Sequence, residues 1–318
     1  MRKFGLIGHP IDHSLSPALF KAGYDGKYPY DLIQTADFEE AYARFLEEYD
    51  GINVTAPFKE LAIKKADVLS EECQKIGATN LLVKTPEGIK AHNSDYLGVR
   101  LWIEQISRLA SFARYRRSRL SDSERNDNDK KASSDAVAFA SARLPEKVEA
   151  AMTPDPHVKA RSACPSGLSQ SDWGLKTIPT ILIIGLGGAG KAAAEAARSL
   201  GCEVILMNRT QYTDEIRPLS EFRKAFKAAD IVIYNLPVPL PDLELLGQED
   251  FIEGKSKHIL EANYRNPSFD KSLIQKLKSI HHELEYTGGE TWLLLQALTG
   301  YEIFTGEKPD LEKMAARL

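Results

Sequence analysis

The stretch TILIIGLGGAGKAAAEAARSLGCEVILMNRT, residues 180–210, decides the fold. An apolar strand-like run from Thr180 to Ile184 enters a glycine turn, an alanine-rich helical run follows, and Glu203 to Met207 reads as a second strand. Gly185, Gly187 and Gly190 have G-x-G-x-x-G spacing, with Gly188 and Ala189 between them. Such glycines permit a tight turn, close approach of the backbone to a pyrophosphate, and close packing of the helix. The helix N-terminus offers unpaired N–H groups to the phosphate. A Walker-type loop does not fit, because Ala192 stands after Lys191 where a hydroxyl is needed. After the second strand, Asn208-Arg209-Thr210 replaces the acid that usually binds the ribose hydroxyls of NAD. A guanidinium there favours the 2′-phosphate of NADP.

Working outward, strands alternate with helices on both sides of a break. Before it lie strands at Phe4 to Gly8, Tyr30 to Gln34 and Gly51 to Val54, helices from Pro17, Phe38 and Lys59, and a hairpin around Thr85-Pro86-Glu87-Gly88. After it come strands at Ile231 to Tyr234, His258 to Glu261 and Leu284 to Tyr286. The break, residues 107–175, is rich in Ser, Arg and Asp, so it has little to bury and is expected to be a mostly disordered insertion, with a short helix near Ala136 to Ala142. The fold class is therefore α/β with two domains: residues 1–106, completed by 288–318, and a Rossmann domain over 176–287.

The 318 residues are 43% hydrophobic, enough for two cores, and carry 41 basic against 45 acidic residues. A net charge of −4 gives no overall bias toward nucleic acid or anionic membrane. Six arginines from Arg108 to Arg125 are interspersed with acids, which favours a solvated segment over a nucleic-acid site. No apolar stretch approaches the ~20 residues that span a bilayer, and Met1 to Gly5 leads straight into a strand, so a cytoplasmic protein is expected. Cys73, Cys164 and Cys202 lack disulfide or zinc spacing, and His9, His13 and His92 form no metal-ligand pair, so no metal is assigned.

In the first domain, polar residues gather at helix starts. Ser16 precedes Pro17 as an N-cap, with Ser14 nearby, and the pair can receive a carboxylate. Asp95 falls in the first turn of the helix begun by HNSD. In NVTAPFKE, residues 53–60, Lys59 opens a helical run reaching Leu69. A cation at that positive end costs roughly a few tenths of a kcal/mol.

The motifs HSLSP, GINVTAPFK, GATN and HNSD, in this order and ahead of a nucleotide-binding unit with NRT, resemble the shikimate dehydrogenase family. The resemblance spans nearly the whole chain outside 107–175. It implies a catalytic Lys59 partnered by Asp95, carboxylate contacts from Ser14 and Ser16, and substrate contacts from Thr55, Asn80, Tyr264 and Gln296. It implies C-terminal helices that return to the first domain, with the site in a cleft. Cofactor contacts then comprise Gly185, Gly187, Gly188, Ala189, Gly190, Asn208, Arg209, Thr210, Asn235 and Gly289.

The chain departs from the family pattern at Leu236-Pro237-Val238-Pro239 and at Thr291-Trp292-Leu293, segments that ordinarily flank the nicotinamide. The implied function is NADP-dependent interconversion of 3-dehydroshikimate and shikimate by a monomer or homodimer, with neither nucleic acid nor membrane as partner. The alternatives are a quinate/shikimate dehydrogenase using NAD or NADP, and a catalytically silent NADP- or shikimate-binding regulator.

Overall fold

The computed structural model describes residues 1–119 and 178–318. The expected insertion, its short helix included, therefore lies outside the described residues from 120 to 177. Its first part differs from expectation, because helix α5 runs from Ser94 to Arg119 without a break at 107. Leu, Ala and Arg are all good helix formers, and once a helix is nucleated each added residue gains a bond at little cost.

The described residues divide into two compact units. The first comprises Met1–Val99, Leu186–Ala196 and Glu290–Leu318. Its sheet has the order β2-β1-β3-β5-β6-β4, formed by β1 (Phe4–Gly8), β2 (Tyr30–Gln34), β3 (Gly51–Val54), β4 (Val68–Leu69), β5 (Leu81–Thr85) and β6 (Gly88–His92). β1 pairs parallel with β2 and β3, while β3, β5 and β6 run antiparallel in turn. Helix α1 (Ser16–Gly23) follows β1, and α2 (Phe38–Glu48) lays Phe38, Ala41 and Phe45 on a core with Ile7, Ile52, Val54 and Phe58. Asp37 caps α2 by accepting from the Glu39 and Glu40 amides. The short α4 (Glu71–Ile76) ends at Gly77 in the left-handed region. Two C-terminal helices, α9 (Gly289–Thr305) and α10 (Leu311–Ala315), complete this unit.

The second unit comprises Arg100–Gly185 and Ala197–Gly289. Its sheet is parallel throughout, in the order β12-β11-β10-β7-β8-β9. The strands are β7 (Thr180–Ile184), β8 (Glu203–Met207), β9 (Ile216–Arg217), β10 (Ile231–Tyr234), β11 (Lys257–Glu261) and β12 (Leu284–Thr287). The chain order reverses beside β7, the switch point at which open parallel sheets bind ligands. Helices α6 (Gly188–Ser199), α7 (Phe222–Ala228) and α8 (Lys271–Ile280) connect these strands, and Phe222, Phe226, Leu273 and Leu277 pack with Leu182, Val232 and Tyr234. A continuous apolar run such as Ile181 to Ile184, every residue 0% exposed, suits a strand covered on both faces. No helix among the described residues is long and apolar enough to cross a membrane.

Candidate active site

Lys59 and Asp95 are brought together in the first unit. Lys59 opens α3, Asp95 lies in the first turn of α5, and Lys59 Nζ donates to Asp95 Oδ2 at 2.5 Å. Both side chains are largely withdrawn from solvent, 19% and 8% exposed, so the ion pair is poorly screened by water. The helical run expected from Lys59 to Leu69 is shorter than predicted. α3 covers only Lys59–Ala62, a 3-10 turn follows over Ile63–Lys65, and Val68–Leu69 forms β4. A one-turn helix has almost no macrodipole. Asp95, not a helix terminus, is therefore what governs Lys59.

The local scaffold explains this placement. The turn before β5 holds both partners. Thr79 N donates to Lys59 O at 3.2 Å, and Asn80 engages Ser94 twice, accepting from its amide at 2.7 Å and donating to its hydroxyl at 3.1 Å. Asn93 caps α5 by accepting from the Tyr96 amide at 3.1 Å, and its own amide group donates to Ala78 O. Asn80 is 5% exposed, and with one N–H given to Ser94 its second remains for a ligand.

Ser14 and Ser16 lie at the start of α1, but their roles differ from expectation. Leu15 already has helical dihedrals, so Ser16 is the first helical residue and not the cap. Ser14 Oγ instead accepts from Ser16 N at 3.2 Å and donates to Ser16 Oγ at 3.1 Å. Thr55 follows β3, and Gln296 lies on α9. Both are half-buried, and neither side chain has a hydrogen-bond partner among the described residues. Tyr264 belongs to the second unit, in the loop after β11, where the guanidinium of Arg265 lies 5.8 Å from its ring. Glu261 holds that loop by accepting from Ser268 N and, at 3.2 Å, from Phe269 N.

The glycine turn has the form a dinucleotide phosphate needs. Gly185 has φ +85°, and a Cβ there would meet the Asn235 carbonyl group at 3.1–3.2 Å. Space is open around Gly187, and α6 begins at Gly188 with Ala189 and Gly190 in its first turn. Asn235 follows β10, and its Oδ1 is a buried acceptor without a partner among the described residues. Gly289 opens α9, where a Cβ would strike Ala262 O at 2.5 Å. Asn208, Arg209 and Thr210 follow β8, Asn208 Nδ2 donates to Thr210 O at 3.0 Å, and the exposed Arg209 forms no ion pair among the described residues. These features fit a phosphorylated dinucleotide.

Trp292 is a residue whose place the sequence reading left open. It is 4% exposed and donates from Nε1 to Asp95 O at 3.0 Å. Cys73 and Cys202 are buried, and burial pushes their thiols up to about 11 and about 12, which makes them packing residues and poor nucleophiles. Among the described residues no group of three or more His, Cys, Asp or Glu could hold a metal ion.

Residues 6–82 match the shikimate dehydrogenase substrate binding domain, and residues 175–280 match the NAD binding domain of D-isomer specific 2-hydroxyacid dehydrogenases. A pentafunctional AROM polypeptide of Candida tropicalis is 28% identical over 288 residues, covering 88% of this chain and 13% of that protein. The shikimate dehydrogenase (NADP(+)) of Thermotoga maritima is 37% identical over 109 residues, 33% of this chain and 41% of that protein. This chain thus spans well under two thirds of either relative. The crystal structure of shikimate 5-dehydrogenase from Thermus thermophilus in complex with NADP(H) and shikimate shares the fold, with a TM-score of 0.64 at 23% identity over 100% of this chain and 98% of that one. The fold defines the class, a two-domain α/β protein with an N-terminal substrate-binding domain and a Rossmann-type NAD(P)-binding domain. Within that class the matched N-terminal residues are more specific than the shared nucleotide-binding design. The similarity to shikimate dehydrogenases rests on residues 6–82 and on the 109 residues aligned with the Thermotoga maritima protein.

Proposed function

We propose that this protein catalyses the NADP-dependent interconversion of 3-dehydroshikimate and shikimate, a step toward aromatic amino acids. The observation that carries this reading is the sequestered Lys59–Asp95 pair, with Nζ 2.5 Å from Oδ2, in the unit that also contains Ser14, Ser16, Thr55, Asn80 and Gln296. In this reading the serine hydroxyls receive the substrate carboxylate, while Thr55, Asn80, Gln296 and Tyr264 contact the carboxylate or ring hydroxyls. NADPH, when bound at the glycine turn, supplies the hydride that reduces the ketone. Lys59 gives its proton to the oxygen that becomes the new hydroxyl, and Asp95 orients the ammonium and balances its charge. In the oxidative direction, neutral Lys59 takes the hydroxyl proton. Arg209 would pair with the 2′-phosphate, as its exposed guanidinium, without an ion pair among the described residues, allows.

Steady-state oxidation of shikimate with NADP by the purified protein tests this directly. Lys59→Ala and Asp95→Asn are each expected to lower kcat by about 10²–10⁴-fold while raising the shikimate KM far less, the pattern of lost proton transfer. A loss below about three-fold in folded protein would remove that residue from the mechanism. Preferred turnover of quinate would move the substrate to the ring with one more hydroxyl. Binding of NADP and shikimate without turnover would leave a regulator.

A further inference from the structure

We infer that Trp292 is a positioning residue for the Lys59–Asp95 pair, its indole N–H fixing the turn of α5 that presents Asp95. This inference rests on the proton-transfer role proposed for that pair.

Three consecutive residues at the start of α5 are each tied to something outside the helix. Asn93 donates to Ala78 O at 3.1 Å, and Ser94 N donates to Asn80 Oδ1 at 2.7 Å. Both of these ties come from one short turn, residues 78–80, and Asn93 N also donates to Glu72 Oε1 at 3.3 Å. The third tie comes from far along the chain, where Trp292 Nε1 on α9 donates to Asp95 O at 3.0 Å. It joins the main chain of the very residue that meets Lys59. One turn further on, the two helices touch through their backbones, since a Cβ at Gly98 would lie 2.7 Å from Gln296 N. That contact fixes how closely the helices approach, and the directional indole bond fixes how α5 is turned and slid against α9.

Packing alone would place an apolar side chain at 292 equally well. An indole differs in carrying a donor and no acceptor, and a buried donor is costly to leave unpaired. At 4% exposure Trp292 cannot turn to water, so its bond to Asp95 O is the place where this need is met. The bulk that makes this segment depart from the family pattern thus brings with it a hydrogen bond to the acid of the pair.

Proton transfer is sensitive to displacement, a misplacement of about 1 Å costing up to roughly 10²-fold. Trp292→Phe, which keeps an aromatic ring and removes the N–H, is expected to lower kcat for shikimate oxidation about 10-fold with the shikimate KM within about two-fold of the parent. In an Asp95→Asn background the same change should cost little more, because the group being positioned is already lost. If the phenylalanine variant does not fold, benzothienylalanine placed site-specifically at 292 keeps the bicyclic shape, removes the donor, and should give the same kcat loss. An unchanged kcat in a folded variant lacking the N–H, or an equal loss in the Asp95→Asn background, would overturn the role of Trp292 while leaving the proposed function standing. Absence of shikimate oxidation by the parent protein would overturn both.

Discussion

Arg209 shows how far single residues could be read. The missing ribose acid and the arriving cation are plain in Asn208-Arg209-Thr210, and two acids, Asp214 and Glu215, follow in the same loop. The structure changes that balance, because Arg198 Nη2 holds Glu215 Oε2 at 2.9 Å. Arg209 remains unpaired among the described residues and keeps its donors for a phosphate. A charge-assisted contact of about 1.5–3 kcal/mol corresponds to a preference of roughly 10–150-fold for NADP over NAD. Arg209→Ala should remove most of it while leaving NAD use nearly unchanged. Calorimetric binding of adenosine 2′,5′-bisphosphate against adenosine 5′-monophosphate measures the same difference without turnover, and equal affinity in the parent would remove the assignment. Lys59 and Asp95 were legible because their motifs are short and local. The part played by Trp292 was not, because its partner lies far away in sequence and is a main-chain oxygen, which leaves no mark on residue type.

At the scale of elements, long strands and helices followed their patterns, and the misread piece was short. Residues 59–69 contain enough apolar periodicity for a helix, yet Val68 and Leu69 are drawn into the sheet opposite Lys90 and Ala91. Asp67 secures the exchange, its amide donating to Ile89 O at 2.8 Å and its carboxylate accepting from Ile89 N at 2.7 Å. A parallel partner distant in sequence is invisible to local periodicity, and the same holds for the two-residue β9. The contact of α5 with α9 gives a test of its own. Alanine normally stabilises a helix by about 1 kcal/mol over glycine, so Gly98→Ala would be favourable if α5 stood alone. Here the new methyl would meet Gln296 N at 2.7 Å and Gln296 Cα at 3.0 Å, atoms that cannot rotate away. We expect a net loss of about 1–3 kcal/mol in urea unfolding together with a raised shikimate KM, as Gln296 is pushed from its place. A more stable variant would show that α9 yields easily.

At the scale of the whole molecule, a buried cation stands out, Lys257 at the start of β11. It is 3% exposed, its Nζ donates to Phe226 O at 2.6 Å and also to Ala229 O, and it lies 4.6 Å from the Phe226 ring centre. These partners at the end of α7 favour a cation, but burial outweighs them and pushes the ammonium down from 10.5 to about 8, with Asp230 opposing. A lysine that loses its proton more readily when folded binds fewer protons in the native state than in the unfolded chain between these two values. Its contribution to stability therefore rises as pH increases from about 8 toward 10.5, by at most about 3 kcal/mol, and below about 8 the penalty is fully present. Unfolding free energies measured from pH 7 to 10 should show that slope, and Lys257→Met should flatten it. A parallel pH dependence in the variant would mean that relaxation or water already relieves the buried charge. By itself the sequence determined the two α/β regions, the glycine turn and the residues of the Lys59–Asp95 pair, because hydrophobic period, turn chemistry and motif spacing act over a few residues. Only the tertiary structure decided that Asp95 rather than a helix dipole governs Lys59, that Ser16 opens α1 instead of capping it, that Arg198 takes Glu215, and that Trp292 ties Asp95. Each of these depends on where one backbone or side-chain atom comes to rest against another, and such distances are fixed by packing.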